Sequence, residues 1–391
     1  MIRVRISTIL LSVCLATLAW GQQPASAPPN NWSEFTRNNM RRWNPYEKIL
    51  GVNTVPHLQL KWSYSPGGPV YSSPAVVGDT VYAGSYDGNI YAWKATTGAK
   101  LWSFLVAGRS WIYGAPAVAN NVVYINSVSP AIIYAINAST GTVLWRYPMQ
   151  NNSYGTPTVA NGVVYCGDAG GLLYALKATT GDHLWTFDSG AQIFSAPSVV
   201  NGIVYIGSEN NSIYAIDAGT GAKKWSFTTG GPVVSTPAVS NDIAYVGSFD
   251  GNLYALNATT GAQLWSFNAG GIVESPAFAD GVIFIGSQGG GGSVYALNAT
   301  TGTMQWSYPT PGSVTASPAV ANGVVYIKTE SLTAGDNFFY AFNAANGALL
   351  WSYDPGETVG GGSPSVANGI VYFPSGDIYN FTGAVYAFGV D

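Results

Sequence analysis

Charge is what this sequence has least of. Only 9% of its 391 residues are Asp, Glu, Lys or Arg, against roughly 25% in an ordinary soluble protein. The 15 basic side chains are outnumbered by 19 acidic ones, for a formal net charge of −4. Nucleic-acid binding demands a basic face, so that class of partner is excluded. Cysteine and histidine are nearly absent: Cys14, Cys166, His57 and His183 are the whole supply. A zinc site of four cysteines, or of paired cysteines and histidines, cannot be built from them. No Cys-x-x-Cys-His haem attachment occurs, and the two His stand in unrelated contexts. No Gly-x-Ser-x-Gly or paired nucleophile and His is found, and Gly289 to Gly292 precedes no helix that would make it a phosphate cradle. Beyond the N-terminus no apolar run approaches the roughly 18 residues of a membrane-spanning helix, so no transmembrane segment is predicted.

What abounds is Gly (48), Tyr (25) and Trp (13), a composition suited to short strands and tight turns. The first residues read as a secretory signal. Arg3 and Arg5 precede an apolar stretch from Ile9 to Ala19, and the small residues Ala19 and Gly21 place cleavage after Gly21. The protein is therefore expected to be exported, periplasmic or secreted. Cys14 would leave with the signal; as a lipid-anchor cysteine it would follow Val13, where a small residue is wanted. Cys166 then remains alone in an apolar strand, where a small inert side chain is expected.

A repeat of about forty residues organises the rest. Tyr-Ala-x-x-Ala-x-x-Gly-x-x-x-Trp runs from Tyr91 to Trp102, Tyr134 to Trp145, Tyr174 to Trp185, Tyr214 to Trp225, Tyr254 to Trp265, Tyr295 to Trp306 and Tyr340 to Trp351. An eighth start, Tyr386-Ala387-Phe388, lacks its Trp, and Trp62 near the other end lacks its Tyr. The two halves complete one unit. The pattern predicts an all-β, eight-bladed β-propeller of four-stranded antiparallel blades, closed by pairing of an N-terminal strand around Leu60 to Tyr64 with the C-terminal blade. Such pairing costs loop entropy and removes the last open edges. In blade 5 the strands read as 235–239, 243–247, 253–257 and 263–267. The first turn recurs as Asn161-Gly162, Asn201-Gly202, Asp280-Gly281, Asn322-Gly323 and Asn368-Gly369, pairs that accept the positive φ of a type I′ hairpin. Pro74, Pro116, Pro157, Pro197, Pro237, Pro276, Pro318 and Pro364 recur on the innermost strand, an edge strand where Pro is tolerated. The eight repeated Trp residues are read as a girdle between blades. The resulting division is 1–21 signal, 22–57 lead-in and 58–391 propeller.

The segments Ala258 to Trp265 and Ala178 to Trp185 resemble the tryptophan-docking motif of the pyrroloquinoline-quinone (PQQ) type propellers. The resemblance spans Trp62 to Phe388, and the lead-in, with Trp32-x-x-Phe35 and Asn44-Pro45-Tyr46-Glu47, is similar to the entry segment of bacterial members. That superfamily holds quinoprotein alcohol dehydrogenases and also the non-enzymatic propeller lipoprotein of the outer-membrane β-barrel assembly machine. The motif speaks for fold far more than for activity.

Function is sought where the repeat departs from itself. The spacing from the inner Pro to the third-strand Tyr stretches in blades 2, 6, 7 and 8, and the link from Trp102 to Pro116 is lengthened. The enlarged loops 328–337, 375–383, 108–113 and 127–131 fall on four consecutive blades and on one face. They carry Trp111, Phe338, Tyr379 and Phe381 among Arg109, Lys328, Glu330, Asp336 and Asp377, a composition suited to a binding surface. The first reading is a non-enzymatic scaffold that binds a protein or peptide there; the resemblance implies a role in outer-membrane protein assembly. No catalytic residue and no cofactor is nominated in that reading. The second is a dehydrogenase using PQQ and Ca²⁺ on an alcohol or sugar. There the resemblance implies basic groups for the quinone (Arg109 and Lys328) and oxygen donors (Asp168, Glu209, Glu274 and Glu357). The adjacent Cys pair usual in the enzymes is absent. The third is a carbohydrate surface with Trp111, Tyr379 and Phe381 as stacking platforms.

Overall fold

A computed structural model describes residues 31–35, 42–289, 291–330, 337–356 and 360–391. The signal segment, Asp336 and Glu357 lie outside the described residues. Each forty-residue unit folds as the alternation of apolar runs and turns predicts. In blade 5 the strands are Ala238–Ser240, Ile243–Gly247, Asn252–Asn257 and Gln263–Asn268. Seven sheets follow this sequence order, and the eighth blade takes Gln59–Tyr64 as its outer strand beside Thr382–Gly389. The chain is an eight-bladed β-propeller, almost free of helix.

Burial explains the strand compositions. The second and third strands are covered by neighbouring blades on both faces, so Ile203–Ser208 and its equivalents are nearly all apolar. The outer strand alternates, as Gln263–Asn268 does, because only one face meets a neighbour. The Asn-Gly hinges have φ of +50° and +77° at Asn161 and Gly162, as a type I′ turn requires. The inner strand itself begins just after each repeated Pro, so that residue sits at its entry, outside the ladder.

The repeated Trp joins blade to blade. Just before it the outer strand carries a bulge, for example at Leu264, where adjacent Ala255 and Leu256 of the third strand pair with Trp265 and Gln263. Such a bulge re-aims the side chain. The Trp185 indole then donates to the Ala218 carbonyl of the next blade at 3.0 Å, and Trp225 donates to Ala258 at 2.9 Å. The same carbonyls accept the second-strand Tyr165 and Tyr205 hydroxyls. The ring lies flat on the turn glycine of that blade: a methyl group on Gly221 would come 2.8 Å from the Trp185 ring. Burying one such indole contributes about 4–6 kcal/mol gross.

Seven of the eight Trp residues make this bond; Trp351 does not. The outer strand of blade 8 comes from the N-terminal side, so that blade has no third-to-fourth-strand turn to offer a carbonyl. Trp351 packs instead edge-on against Phe388, 4.9 Å between centroids, and the turn Val55–His57 covers its strand. For the same reason the Tyr326 hydroxyl of blade 7 is buried without a hydrogen-bond partner.

The lead-in lies against inner strands on the face of the first turns. Trp32 exchanges backbone hydrogen bonds with Val76, and Trp43–Asn44 runs parallel to Ala319–Ala321. Arg42 is buried under the ring of Phe35, donating to carbonyls of Phe35, Ser317, Pro318 and Pro364, and burial pulls its guanidinium down to about 9. Glu47 ties the lead-in to the Gly369 amide. The described lead-in is thereby fixed to the inner strands of blades 7, 8, 1 and 2.

Gly221→Ala is expected to cost about 2–3 kcal/mol, from a strained positive φ and contact with the Trp185 ring. Gly202→Ala has a similar φ and no atom within 4 Å of its added methyl; its cost should be smaller by about 1 kcal/mol or more. Urea unfolding of the two variants side by side measures the ring contact alone.

Candidate functional site at the channel mouth

Each inner strand is preceded by a short entry segment, and the residue three before the repeated Pro lines the channel mouth. It is Tyr71, Tyr113, Tyr154 and Phe194 on blades 1 to 4, then Val234 on blade 5, Thr315 on blade 7 and Gly361 on blade 8. Blade 6 has one residue fewer there and presents Glu274. One half of the mouth is aromatic. Tyr71 and Tyr113 stack at 5.8 Å and 14°, Tyr113 meets Tyr154 edge-on at 5.9 Å, and Tyr154 meets Phe194 at 5.5 Å. From Tyr71 the track continues outward through Tyr86 (4.9 Å) to Trp111, stacked on Tyr86 at 4.8 Å and 4°.

The other half is polar. Gln288 Nε2 donates to Glu274 Oε1 at 2.6 Å, and Thr315 Oγ1 donates to Glu330 Oε2 at 2.9 Å. Burial, helped by the charge of Glu330, pushes the Glu274 carboxyl up to about 7. Tyr113 is raised to about 12 by crowding of the channel walls and then by Glu274, Tyr71 and Glu330. Tyr71 is likewise raised to about 12, by burial and by Glu330, Asp377 and Tyr379. Gly360 leaves room for this meeting: a methyl group there would press on both the Tyr71 hydroxyl and Glu330 Oε1.

Lys328 needs a correction. It was expected on an open loop, yet its side chain is fully buried, with Nζ donating to Gly360 O at 2.8 Å and Pro374 O at 3.2 Å. Blades 1, 3, 4, 5 and 6 have Gly at this strand position, and Ile or Val from the next blade packs on it in blades 1, 3, 4 and 6. In blade 7 the roles are exchanged: lysine fills the space and the next blade offers Gly360. Burial lowers its ammonium to about 7, against the pull of Glu330.

Asp168 is engaged in a turn of blade 3. Its carboxylate accepts Gly170 N, Leu172 N, Tyr174 Oη and Asn151 Nδ2, holding a turn as Asp250 does with Asn252 and Tyr254 in blade 5. Asp377 is spent similarly, on Tyr379 N and Asn380. Glu209 is exposed on its own turn, and Arg109 is exposed in the turn Ala107–Arg109 between blades 1 and 2. Of the described residues nominated for a quinone and its calcium, Lys328 is sealed in, Arg109 lies on an outer turn, Asp168 holds a turn and Glu209 is exposed, so that Glu274 alone stands at the channel mouth. Among the described residues no three His, Cys, Asp or Glu come together to hold a metal ion. Cys166 is free and buried, its thiol pushed up to about 12 by burial.

The rim aromatics do gather beside the mouth. Tyr379 is 81% exposed, and Phe381 covers Gly68 at the entry to blade 1. Trp111 has one ring face on Tyr86 and is half-exposed. Tyr71, Tyr154 and Phe194 escaped the reading of loop lengths because their segments have ordinary length; Tyr113 ends the enlarged loop 108–113 but was not singled out there. The signal available was the variation at one register position within the repeat.

The family model described as outer membrane protein assembly factor BamB matches residues 59–150, 129–269 and 249–388. The chain belongs to that family. Outer membrane protein assembly factor BamB of Yersinia pestis is 28% identical over 151 residues, 34% of this chain and 38% of that protein. A polyvinylalcohol dehydrogenase of a Sphingopyxis strain is 29% identical over 125 residues, 30% of this chain and 18% of that enzyme. The matched stretches thus span well under half of either relative. BamB from Moraxella catarrhalis superposes with a TM-score of 0.70 over 85% of this chain and 98% of its own, at 19% identity, a likeness of fold. No helix among the described residues is long and apolar enough to cross a membrane.

Replacing Lys328 by Met should remove a pH dependence of stability. The folded ammonium sits near 7 and the unfolded one near 10.5, so folding binds fewer protons and stability rises with pH between those values. Glu274 acts in the opposite sense: its carboxyl is raised from 4.5 to about 7, and stability falls as pH rises through that window. Melting temperatures from pH 4 to 10 for Lys328→Met and Glu274→Gln should each lack one limb of the wild-type curve.

Proposed function

We propose that this BamB-family chain is an exported, non-enzymatic binding propeller that receives a protein or peptide segment on its loop face, in the service of outer-membrane protein assembly. The observation that carries this reading is the continuous aromatic track from Trp111 on the rim through Tyr86 and Tyr71 to Phe194 in the channel mouth. Aromatic anchors of this kind supply large contact area at low entropic cost and dominate recognition surfaces. Tyr379 and Phe381 extend the surface across the join of blades 8 and 1. Export is inferred from Arg3, Arg5 and the apolar stretch Ile9 to Ala19. The family description supplies the assembly role. The enzymatic reading has less behind it, because the groups nominated for the quinone do not converge.

Capture of partners from an envelope extract tests the proposal. The triple replacement Trp111→Ala, Tyr379→Ala, Phe381→Ala should reduce specific capture at least tenfold while the melting temperature shifts little, since all three side chains are exposed. Equal capture by the variant would count against the loop face. Titration with PQQ and Ca²⁺ is expected to give no saturable absorbance change; saturable binding with dye reduction would restore the dehydrogenase reading.

A further inference from the structure

Tyr113 on blade 2 and Glu274 on blade 6 stand four blades apart, on opposite sides of an eight-membered ring, yet the carboxylate raises the phenol electrostatically. The carboxylate side meets the aromatic arc in space as well: a methyl group on Gly360 would stand 2.7 Å from the Tyr71 hydroxyl and 3.2 Å from Glu330 Oε1, and the Tyr71 ring stacks on Tyr113. Glu274 Oε1 is held by Gln288 and Glu330 Oε2 by Thr315. Among the described residues Oε2 of the first and Oε1 of the second accept no hydrogen bond, and Glu330 Oε1 faces the Tyr71 hydroxyl across Gly360. The nearby cation cannot neutralise them at contact, because the Lys328 ammonium is turned onto two backbone carbonyls of the adjoining wall.

We infer that this mouth binds an organic cation, an ammonium or guanidinium group, seated between the faces of Tyr71, Tyr113 and Tyr154 and the free oxygens of Glu274 and Glu330. Both walls favour positive charge. Ring faces attract cations through their quadrupole, and carboxylates inside a protein-walled cleft focus the field on whatever enters. A neutral apolar guest would desolvate the carboxylates without return, and an anion would be repelled by them. In the reading proposed above, on which the choice of peptide rests, the cation is a lysine or arginine side chain of the bound segment. A free small amine carries the same chemistry.

Calorimetry on the full-length folded protein separates these sources. The probes are n-butylammonium and the N-acetylated, C-amidated peptides Gly-Gly-Arg-Gly-Gly and Gly-Gly-Gln-Gly-Gly, at low and at high salt. The arginine peptide should bind at least tenfold more tightly than the glutamine peptide, and salt should weaken it. Glu274→Gln and Glu330→Gln should each weaken it about fivefold or more, Tyr113→Ala should weaken it too, and Glu209→Gln should leave it unchanged. Affinity should rise from pH 6 to 8 as Glu274 ionises beside Glu330 and Gln288 while Lys328, facing Glu330, loses its proton. Equal affinity for both peptides, or indifference to both glutamate substitutions, overturns the inference while leaving peptide binding intact. Binding of n-butylammonium but of neither peptide keeps the cation site and removes the peptide reading. No binding of any cation overturns the site. Should one glutamate variant fail to fold, the other and the peptide charge series still decide.

Discussion

The indole-to-carbonyl bond across each blade interface is the constraint on which the ring depends. A propeller blade is a twisted sheet whose broad faces are apolar, and burial alone would let neighbouring blades slide. The Trp ring lying on a turn glycine, with its N–H on the alanine carbonyl three residues earlier, sets both spacing and angle at once. It also explains why the repeat tolerates so little variation in the Ala-x-x-Gly turn. The glycine must adopt a positive φ and must also present no side chain to the ring.

One interface cannot be made this way, and the chain resolves it by other means. Where an N-terminal strand completes blade 8, the docking turn is missing, and Trp351 falls back on an edge-to-face contact with Phe388. Aromatics accumulate here: Phe339, Phe373, Tyr353 and Tyr386 surround the same pair. A dense aromatic cluster replaces directional bonding at the closing seam. The lead-in adds a second fastening from below, through Asn44 to the Val366 carbonyl and Glu47 to the Gly369 amide.

The same regularity frees a set of positions for function. Since strands two to four and the turn glycines are committed to packing, side chains at the entry to each inner strand meet chiefly one another and can differ from blade to blade. Four consecutive blades place rings there and blade 6 places a carboxylate. Lys328 and Gly360 show the complementary case, a large and a small residue exchanged across one interface so that a charge is buried where an aliphatic contact normally sits.

The blade count, the strand order, the closure through Gln59–Tyr64 and the role of seven Trp residues were all legible in the residues, because period and turn chemistry are local properties that repeat. Loop length drew attention to one face and to Trp111, Tyr379 and Phe381. It could not show that Lys328 is buried on two carbonyls, since whether a charged side chain meets solvent or a carbonyl depends on what the next blade supplies. Only the closed ring could bring Tyr113 opposite Glu274: they are 161 residues apart in sequence, and no spacing along the chain encodes a distance measured across the axis. Local sequence determined the wheel; its closure decided which side chains look at one another through the hole.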